Sequence, residues 1–464
     1  MIEKHFKLRI MKKIFFFTLI AFFAWNNSLH AQGKPFTEGN LVIYRLGDGT
    51  STFALDKSNA VPAFLDEYGF DEDGLLDLIQ SIALPTEIDA NTGNKRCNGV
   101  PGTVNMGYIN RSADGLYLVA GGFDIELGGG PWGKAATAAN RVVAVVDANG
   151  NINTTTALTD AFSTKDLRSV ISTNGTDIWL AGNNSTTYND GYVRYTTKGS
   201  TTSIKVNGLT ARIFGEFRNQ LYVSGQERIY TVGSGFPQVA ADVVDITEAP
   251  NASLGITATN PNGYDFCFAD LDAANPGTKQ VLYFTNSNGT IQKYSFVNNV
   301  WVFNGDYTGV TAPRSVECKV VQDGVELYLV CEASTSALGN GKLYKLKDLA
   351  GYNKAFEQDG NPIKLLDWSD KVYKAMRSVA WAPLKTAIPT SVNMPKPNDF
   401  SVYTENNNIC IESLKETFAD VYNLWGVKIS TNKVYPGIPT QIAGLQIGQI
   451  YFVKVGDKGT KIIL

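Results

Sequence analysis

Arg314-Ser315-Val316, Glu326-Leu327-Tyr328-Leu329-Val330 and Lys342-Leu343-Tyr344-Lys345-Leu346 follow one another within 33 residues. Each segment places apolar or aromatic residues at every second position, and Asp323-Gly324 separates the first two. A period of two puts successive side chains on opposite faces, so the stretch predicts antiparallel strands joined by tight turns rather than a helix. The central segment carries an aromatic at its middle, and this unit recurs along the chain.

Further copies of the central segment are Gly115-Leu116-Tyr117-Leu118-Val119, Asp177-Ile178-Trp179-Leu180-Ala181, Gln220-Leu221-Tyr222-Val223-Ser224 and Val281-Leu282-Tyr283-Phe284-Thr285. Each is followed by a third strand, such as Arg141 to Val146 or Arg228-Ile229-Tyr230-Thr231-Val232. The aromatic centres lie about 43 to 62 residues apart, the period of four-stranded propeller blades with loop insertions. The opening strand repeats as well: Arg168-Ser169-Val170, Arg314-Ser315-Val316 and Arg377-Ser378-Val379 share one tripeptide, and Ala211-Arg212-Ile213 is a looser copy.

Met376 to Trp381 has no partner strands after it, whereas Leu41 to Arg45, Val61 to Tyr68 and Leu75 to Leu84 have no opening strand before them. A closed ring resolves both deficits, because the first strands complete the blade begun near Arg377. The expected fold is therefore all-β: a six-bladed β-propeller, with seven blades as the alternative if one long unit hides a further blade. The expected domains are a signal peptide (1–31), the propeller (32–385), a Pro-containing linker (386–399) and a small C-terminal β-sandwich (400–464).

Lys12 and Lys13 precede an apolar run from Ile14 to Ala24, and a small residue, Ala31, closes the segment. This is the pattern of a cleaved secretory leader, with Met11 as the expected start. The run is too short to span a bilayer, which takes about 20 residues, so no transmembrane segment is expected. Both histidines, His5 and His30, lie in this leader. A mature chain without histidine has no Ser-His-Asp or Cys-His nucleophile and no His-ligated zinc or haem. Enzymes built on carboxylates survive that filter, as do binding proteins; the balance leans away from catalysis. Setting the leader's five basic residues and one acid aside from the chain's 41 and 44 leaves a net charge near −7, which carries no nucleic-acid footprint. The five cysteines are odd in number and too sparse for a disulfide scaffold. A hairpin turning at Asp323-Gly324 would set Cys318 opposite Leu329, so buried free thiols are expected rather than a Cys318–Cys331 bridge.

Two parts of the chain resemble known families. Gly289 to Ser295 with Trp301, and Val193-Arg194-Tyr195 with Gly199 to Thr202, resemble secreted bacterial β-propeller proteins of uncharacterised function. The tail, through Val421-Tyr422-Asn423-Leu424-Trp425-Gly426, Gly444-Leu445, Gly448 to Val455 and the terminal Lys461-Ile462-Ile463-Leu464, resembles the C-terminal sorting domain of the type IX secretion system of Bacteroidetes. That resemblance implies periplasmic transit, export through the type IX machinery as partner, and release or attachment at the cell surface with removal of the tail.

Candidate site residues follow from the repeat. In a propeller the opening strand lines the central channel, so Arg168, Arg212, Arg314 and Arg377 would converge at one mouth, where guanidinium forks suit carboxylate or phosphate. The alternative, which repetition favours, is that each pairs with an acid such as Asp166 or Glu317, or with carbonyls of the next blade. Asp71, Asp73 and Asp77 make an oxygen-rich stretch that suits calcium or, equally, a plain Asp-Gly turn; no other cofactor is implied. Trp132, in a Gly-rich loop, and Trp368 are the tryptophans expected at the surface, where a ring can stack on a sugar; Trp179 and Trp301 are expected in the core. The reading is an exported, non-catalytic propeller binding a glycan, an anionic ligand or a protein. The alternative is a carboxylate-based or calcium-dependent propeller enzyme acting on polysaccharide, lactone or phosphate ester, for which Asp265, Asp270 and Glu317 lie near opening strands.

Overall fold

The computed structural model of the chain describes residues 33–50, 59–102, 104–131, 133–183, 192–247, 263–273, 275–333, 341–387, 400–405, 408–413, 416–423, 427–435, 439–446, 449–456 and 458–463. The expected leader, Trp132, the segment 388–399, and Leu424-Trp425-Gly426 and Gly448 of the tail fall outside them. The chain divides into two compact units, Met1–Thr390 and Ser391–Leu464.

Regular structure among the described residues is all β. Among its described residues the first unit holds six four-stranded antiparallel sheets, each built from strands that are consecutive in sequence except one. That one pairs Leu41–Leu46 with both Ala375–Trp381 and Ala63–Phe70, and ends on Leu76–Ala83. The ring thus closes as its unpaired first and last strands require, and the fold is a β-propeller. The six innermost strands are Asn110–Arg111, Leu167–Ser172, Phe214–Phe217, Gly263–Asp270, Pro313–Val321 and Ala375–Trp381. The aromatic-centred segments form the second strand of their sheets, with Tyr44 filling that role in the composite one.

Second strands are sandwiched between neighbouring sheets, which is why they read as nearly continuous apolar runs. Gln280–Asn286 is buried at every position. Fourth strands lie at the rim and are the more exposed, as in Leu76–Ala83, where Leu78 and Ile79 both face solvent. Trp179 is 1% exposed, packs against Tyr195 and Phe236, and donates its indole N–H to the Pro237 carbonyl at 2.7 Å. Trp301 is also buried, and so is Trp368, contrary to the expectation that it lies at the surface. Trp368 sits in an apolar cluster with Met376 and Trp381, where a large ring removes the most area from water.

Inner strands of neighbouring sheets are joined mainly through side chains. Ser169 Oγ accepts the Phe214 N–H at 3.2 Å, Ser315 Oγ the Val379 N–H at 3.2 Å, and Ser378 Oγ the Ile109 N–H at 3.0 Å. Asp265 accepts the Val316 N–H at 3.0 Å, Asn110 donates to the Val170 carbonyl at 2.8 Å, and Ser224 donates to the Tyr264 carbonyl at 2.6 Å. The serine of the repeated Arg-Ser-Val tripeptide is therefore the link between blades.

The hairpin between Pro313–Val321 and Gly324–Cys331 turns one residue earlier than the Asp-Gly pair suggests, pairing Val321 with Gly324. Cys318 consequently faces Leu327 and Cys331 faces Pro313, so no bridge forms, and all five cysteines are free thiols. In the second unit, a three-stranded sheet (Phe400–Glu405, Asn408–Ser413, Thr440–Ile442) and a four-stranded one (Lys428–Val434, Thr417–Tyr422, Ile450–Val455, Lys458–Ile463) share one core of Ile409, Ile411, Ala419, Val421 and Val453. That arrangement is a small sandwich.

One buried ion pair ties two adjacent blades. Lys293 Nζ lies 2.6 Å from Asp348 Oδ2, both side chains wholly buried, and the Tyr283 hydroxyl donates to the same oxygen at 2.7 Å. Burial pulls the Lys293 pKa below its usual value and the Asp348 carboxylate pushes it back up. Removing one partner of such a pair leaves an uncompensated charge and costs about 3–5 kcal/mol. Asp348→Ala should therefore lower the urea-unfolding free energy by about that amount, and Asp348→Asn, which keeps an acceptor for Tyr283, by less; an unchanged midpoint for Asp348→Ala would show that the pair contributes nothing.

Candidate functional site

Alignment of the six inner strands through their serine links gives one residue per blade at the leading position. In order around the ring these are Tyr108, Arg168, Arg212, Tyr264, Arg314 and Arg377. Arg212 and Arg314 lie within 9 Å of each other through the Tyr264 ring, and the charges of the four arginines reach one another. Arg212 is pulled below its ordinary pKa by burial and by the nearby charges of Arg168 and Arg314. Arg377, 1% exposed, is lowered to about 10 by burial, with Arg314 adding to the effect. Tyr108 lies within the same field, its pKa raised chiefly by burial. Gly107 allows this tyrosine its place: its φ is +87°, and a Cβ there would meet the Tyr44 ring at 2.9 Å.

Three of the arginines also stitch blades together. Arg168 forms an ion pair with Asp166 at 3.5 Å and donates to the Ala211 carbonyl at 3.2 Å. Arg212 donates to the Gly263 carbonyl, and Arg377 to the Pro101 carbonyl at 3.4 Å. The structural role expected from repetition is present, with carbonyls of the next blade as the main acceptors. Arg314 differs: its guanidinium lies 4.6 Å from the centre of the Tyr264 ring, and its Nε and Nη1 are buried without a hydrogen-bond partner among the described residues. Glu317, named in advance as a possible arginine partner, is turned to another site.

That site is a cavity of about 160 Å³ on the axis of the ring, with walls from all six inner strands or the residues beside them. Arg111, Glu216, Asp265 and Glu317 supply its charge, and the lining is mostly polar; the Phe266 and Phe268 rings beside it pack into the core between two blades. Glu317 is pushed up to about 7 by burial, against the pull of Arg111 and of backbone donors at Cys318 and Trp381. Glu216 is raised by burial and lowered in part by the Asn219 N–H and by Arg111. Asp265 also rises to about 7, chiefly through burial, although the Val316 N–H, the Ser315 hydroxyl and the Phe266 N–H oppose the shift. The charge of one arginine thus acts on two glutamates, and a third carboxyl lies between this group and the leading arginines. The charged cavity residues Arg111, Glu216 and Glu317 lie three to four residues beyond the leading position, on the order of 10–13 Å at about 3.3 Å per residue. The lining itself begins one residue beyond that position, at Ile109 and Asp265.

Of the acids near opening strands, Asp265 and Glu317 reach the cavity. Asp270 does not: it pairs with Arg218 at 3.1 Å and accepts the Gly277 N–H. Asp71, Asp73 and Asp77 make no metal-holding group; Asp71 Oδ1 accepts the Asp73 and Leu75 N–H groups at 2.9 and 2.8 Å, which is the plain turn between Ala63–Phe70 and Leu76–Ala83. Among the described residues no cluster of three or more His, Cys, Asp or Glu side chains suits a metal ion. Sequence reasoning missed Tyr108, Tyr264, Arg111 and Glu216. The first two hold the arginine's place in the repeat and are found once Gly107-Tyr108-Ile109 and Gly263-Tyr264-Asp265 are aligned with Ala211-Arg212-Ile213.

No family model matches the chain, and no curated protein matches it. Among solved structures it is similar to the dihydro-heme d1 dehydrogenase NirN, at 10% identity over 88% of this chain and 76% of that one, with a TM-score of 0.32. It is also similar to a functionally unknown protein from Desulfotomaculum acetoxidans, at 9% identity over 85% of this chain and 99% of that one, with a TM-score of 0.33. Likenesses of this size decide nothing about ligand or chemistry, and the propeller assignment rests on the closed ring of four-stranded sheets.

Proposed function

We propose that the chain is an exported propeller that holds a small hydroxyl-bearing ring, such as one sugar unit, in its axial cavity without altering it chemically. The observation that carries this reading is the cavity bounded by all six inner strands, with Arg111, Glu216 and Glu317 in its lining. Carboxylates accept hydroxyl protons and a guanidinium donates, which suits a hydroxyl-rich ligand. Size sets an upper limit: a closed cavity of about 150 Å³ takes a benzene-sized ring, so the site takes one sugar unit at the cavity's open end rather than an enclosed oligomer. Export is supported by the leader pattern before Ala31 and by the tail's resemblance to a type IX sorting domain. In that reading the tail addresses the protein to the cell surface through the periplasm.

A second reading has one observation in its favour. Asp265 and Glu317 both sit near 7, the range that suits proton transfer at neutral pH. Paired carboxyls of this kind also serve glycoside hydrolysis.

Thermal unfolding with neutral sugars, amino sugars, uronates, calcium and chelator separates the readings. A ligand at about 100 times its dissociation constant adds about 2.7 kcal/mol to stability. A rise in midpoint with a neutral sugar that is recovered intact, and that Glu317→Gln or Arg111→Ala abolishes, is the expected result. Cleavage of a glycoside that Glu317→Gln removes would replace binding with hydrolysis, and a rise with calcium reversed by chelator would revive the metal. Deleting residues 386–464 from the full chain should leave it in the periplasm; unchanged delivery to the surface would remove the sorting role.

The raised carboxyls also fix a pH dependence. In the unfolded chain Asp and Glu release their protons near about 3.9 and 4.3, whereas Asp265 and Glu317 keep theirs to about 7 in the folded one. Between those values the folded state binds more protons, so this contribution is complete below about pH 4 and is lost as pH rises through about 7. Asp265→Asn and Glu317→Gln should each flatten the fall in melting temperature between pH 4.5 and 7.5 by several degrees relative to the parent. Parallel curves for parent and variants would mean that neither carboxyl is held protonated.

A further inference from the structure

We propose that Arg212 and Arg314, both lying over the ring of Tyr264, form a second site at the leading end of the inner strands, and that it takes one oxyanion group, a carboxylate or a phosphate. The inference is independent of the axial cavity and stands if that cavity binds nothing.

Three observations carry it. Arg212 and Arg314 lie 4.4 and 4.6 Å from the Tyr264 ring centre, which places the two guanidinium carbons within 9 Å of each other. Attraction to a ring face holds a guanidinium in place without using its N–H donors, so the donors remain for a ligand. Arg314 has them: Nε and Nη1 find no hydrogen-bond partner among the described residues, whereas Arg168, Arg212 and Arg377 each donate to a carbonyl of the next blade. A buried N–H without an acceptor costs about 1–3 kcal/mol, and more on a charged group. An oxyanion supplies the missing acceptor with charge-assisted bonds of about 2.7–2.9 Å.

Charge balance points the same way. Four guanidiniums meet here, and the acids facing them are Asp166 and Asp265. Asp166 is engaged by Arg168, and Asp265 is pushed toward its neutral form while it accepts the Ser315 hydroxyl and two backbone N–H groups. Burial is the main cause that lowers Arg212 and Arg377, and the charges of Arg168 and Arg314 add to it at Arg212 and that of Arg314 at Arg377. Arg212 and Arg314 are half-buried, whereas Arg168 and Arg377 are fully covered, so the open part of the ring is the Arg212–Tyr264–Arg314 arc. An anionic group on the Arg314 fork, with the Arg212 charge within 9 Å, fits that arc, and guanidinium planarity gives it two-point recognition.

The test is calorimetric titration of the full chain with inorganic phosphate and with galacturonate, and with neutral galactose as the control. Saturable binding of at least one oxyanion is expected, weakened at least tenfold by Arg314→Gln and less by Arg314→Lys, which keeps the charge but not the fork. Neutral galactose, the ligand class of the cavity, should bind the Arg314→Gln variant as it binds the parent while the oxyanion does not, so loss of the cavity reading and loss of this one are distinguishable. Phosphate alone would mark a tetrahedral-anion site, and galacturonate alone a carboxylate site on a glycan. Absence of binding by the parent to both anions, or an Arg314→Gln variant that binds as the parent does, overturns the proposal. Should Arg314→Gln fail to fold, Arg314→Lys carries the comparison: a parent-like affinity there also overturns the two-point recognition.

Discussion

Each blade of this ring turns the free edge of a β-strand toward the central axis, and that edge carries backbone N–H and C=O groups with no ladder partner. An exposed edge of this kind costs stability and invites association, and a buried one must find partners elsewhere. The chain answers with a short side chain at one fixed place in the repeat. Ser169, Ser315 and Ser378 each accept an N–H from the next inner strand, and Asp265 does the same where serine is missing. Individually such bonds contribute about 0.5–1.5 kcal/mol, and leaving the group unmade costs about 1–3. Their greater effect is geometric, because every joint fixes the register of one blade on the next and so fixes which residues share a level of the axis.

With register fixed, charge sorts along the axis by level. Guanidiniums and two tyrosine rings occupy the leading level, a carboxyl at Asp265 the next, and Arg111, Glu216 and Glu317 the levels beyond. Opposite charges at a separation on the order of 10–13 Å, in a space with low-dielectric walls, interact more strongly than they would in water. The two ends therefore present different chemistry to whatever approaches. Burial holds carboxyls near neutrality at one end and depresses arginines at the other.

Much of this architecture was legible in the sequence. Period-two alternation, aromatic centres and the repeated Arg-Ser-Val tripeptide identify the blades, and the strands left over at each end identify the closure. The convergence of Arg168, Arg212, Arg314 and Arg377 followed from repetition alone. Tyr108 and Tyr264 escaped because tyrosine in the arginine's place breaks the tripeptide that served as the marker. Glu216 and Arg111 escaped for a different reason: they come from separate blades and meet only around the axis. Asp270 looks much like Asp265 in sequence, yet it lies five residues further along its strand and is taken by Arg218. A one-residue error in the turn after Val321 misplaced Cys318, since register in a hairpin depends on the turn rather than on the strands it joins.

The pairing of Leu41–Leu46 with Ala375–Trp381 has a kinetic side. These strands are separated by more than 300 residues of sequence, so the closing contact has the longest loop to gather and comes late in folding. A nascent chain holds five sheets whose strands are all local, while the sixth waits for its last member to be synthesised. Until then Leu41, Val42 and Ile43, fully buried in the finished ring, lie along an open strand edge. The closing strand thus acts as a check on completeness: a chain truncated before residue 375 has every local blade and no way to shut the ring.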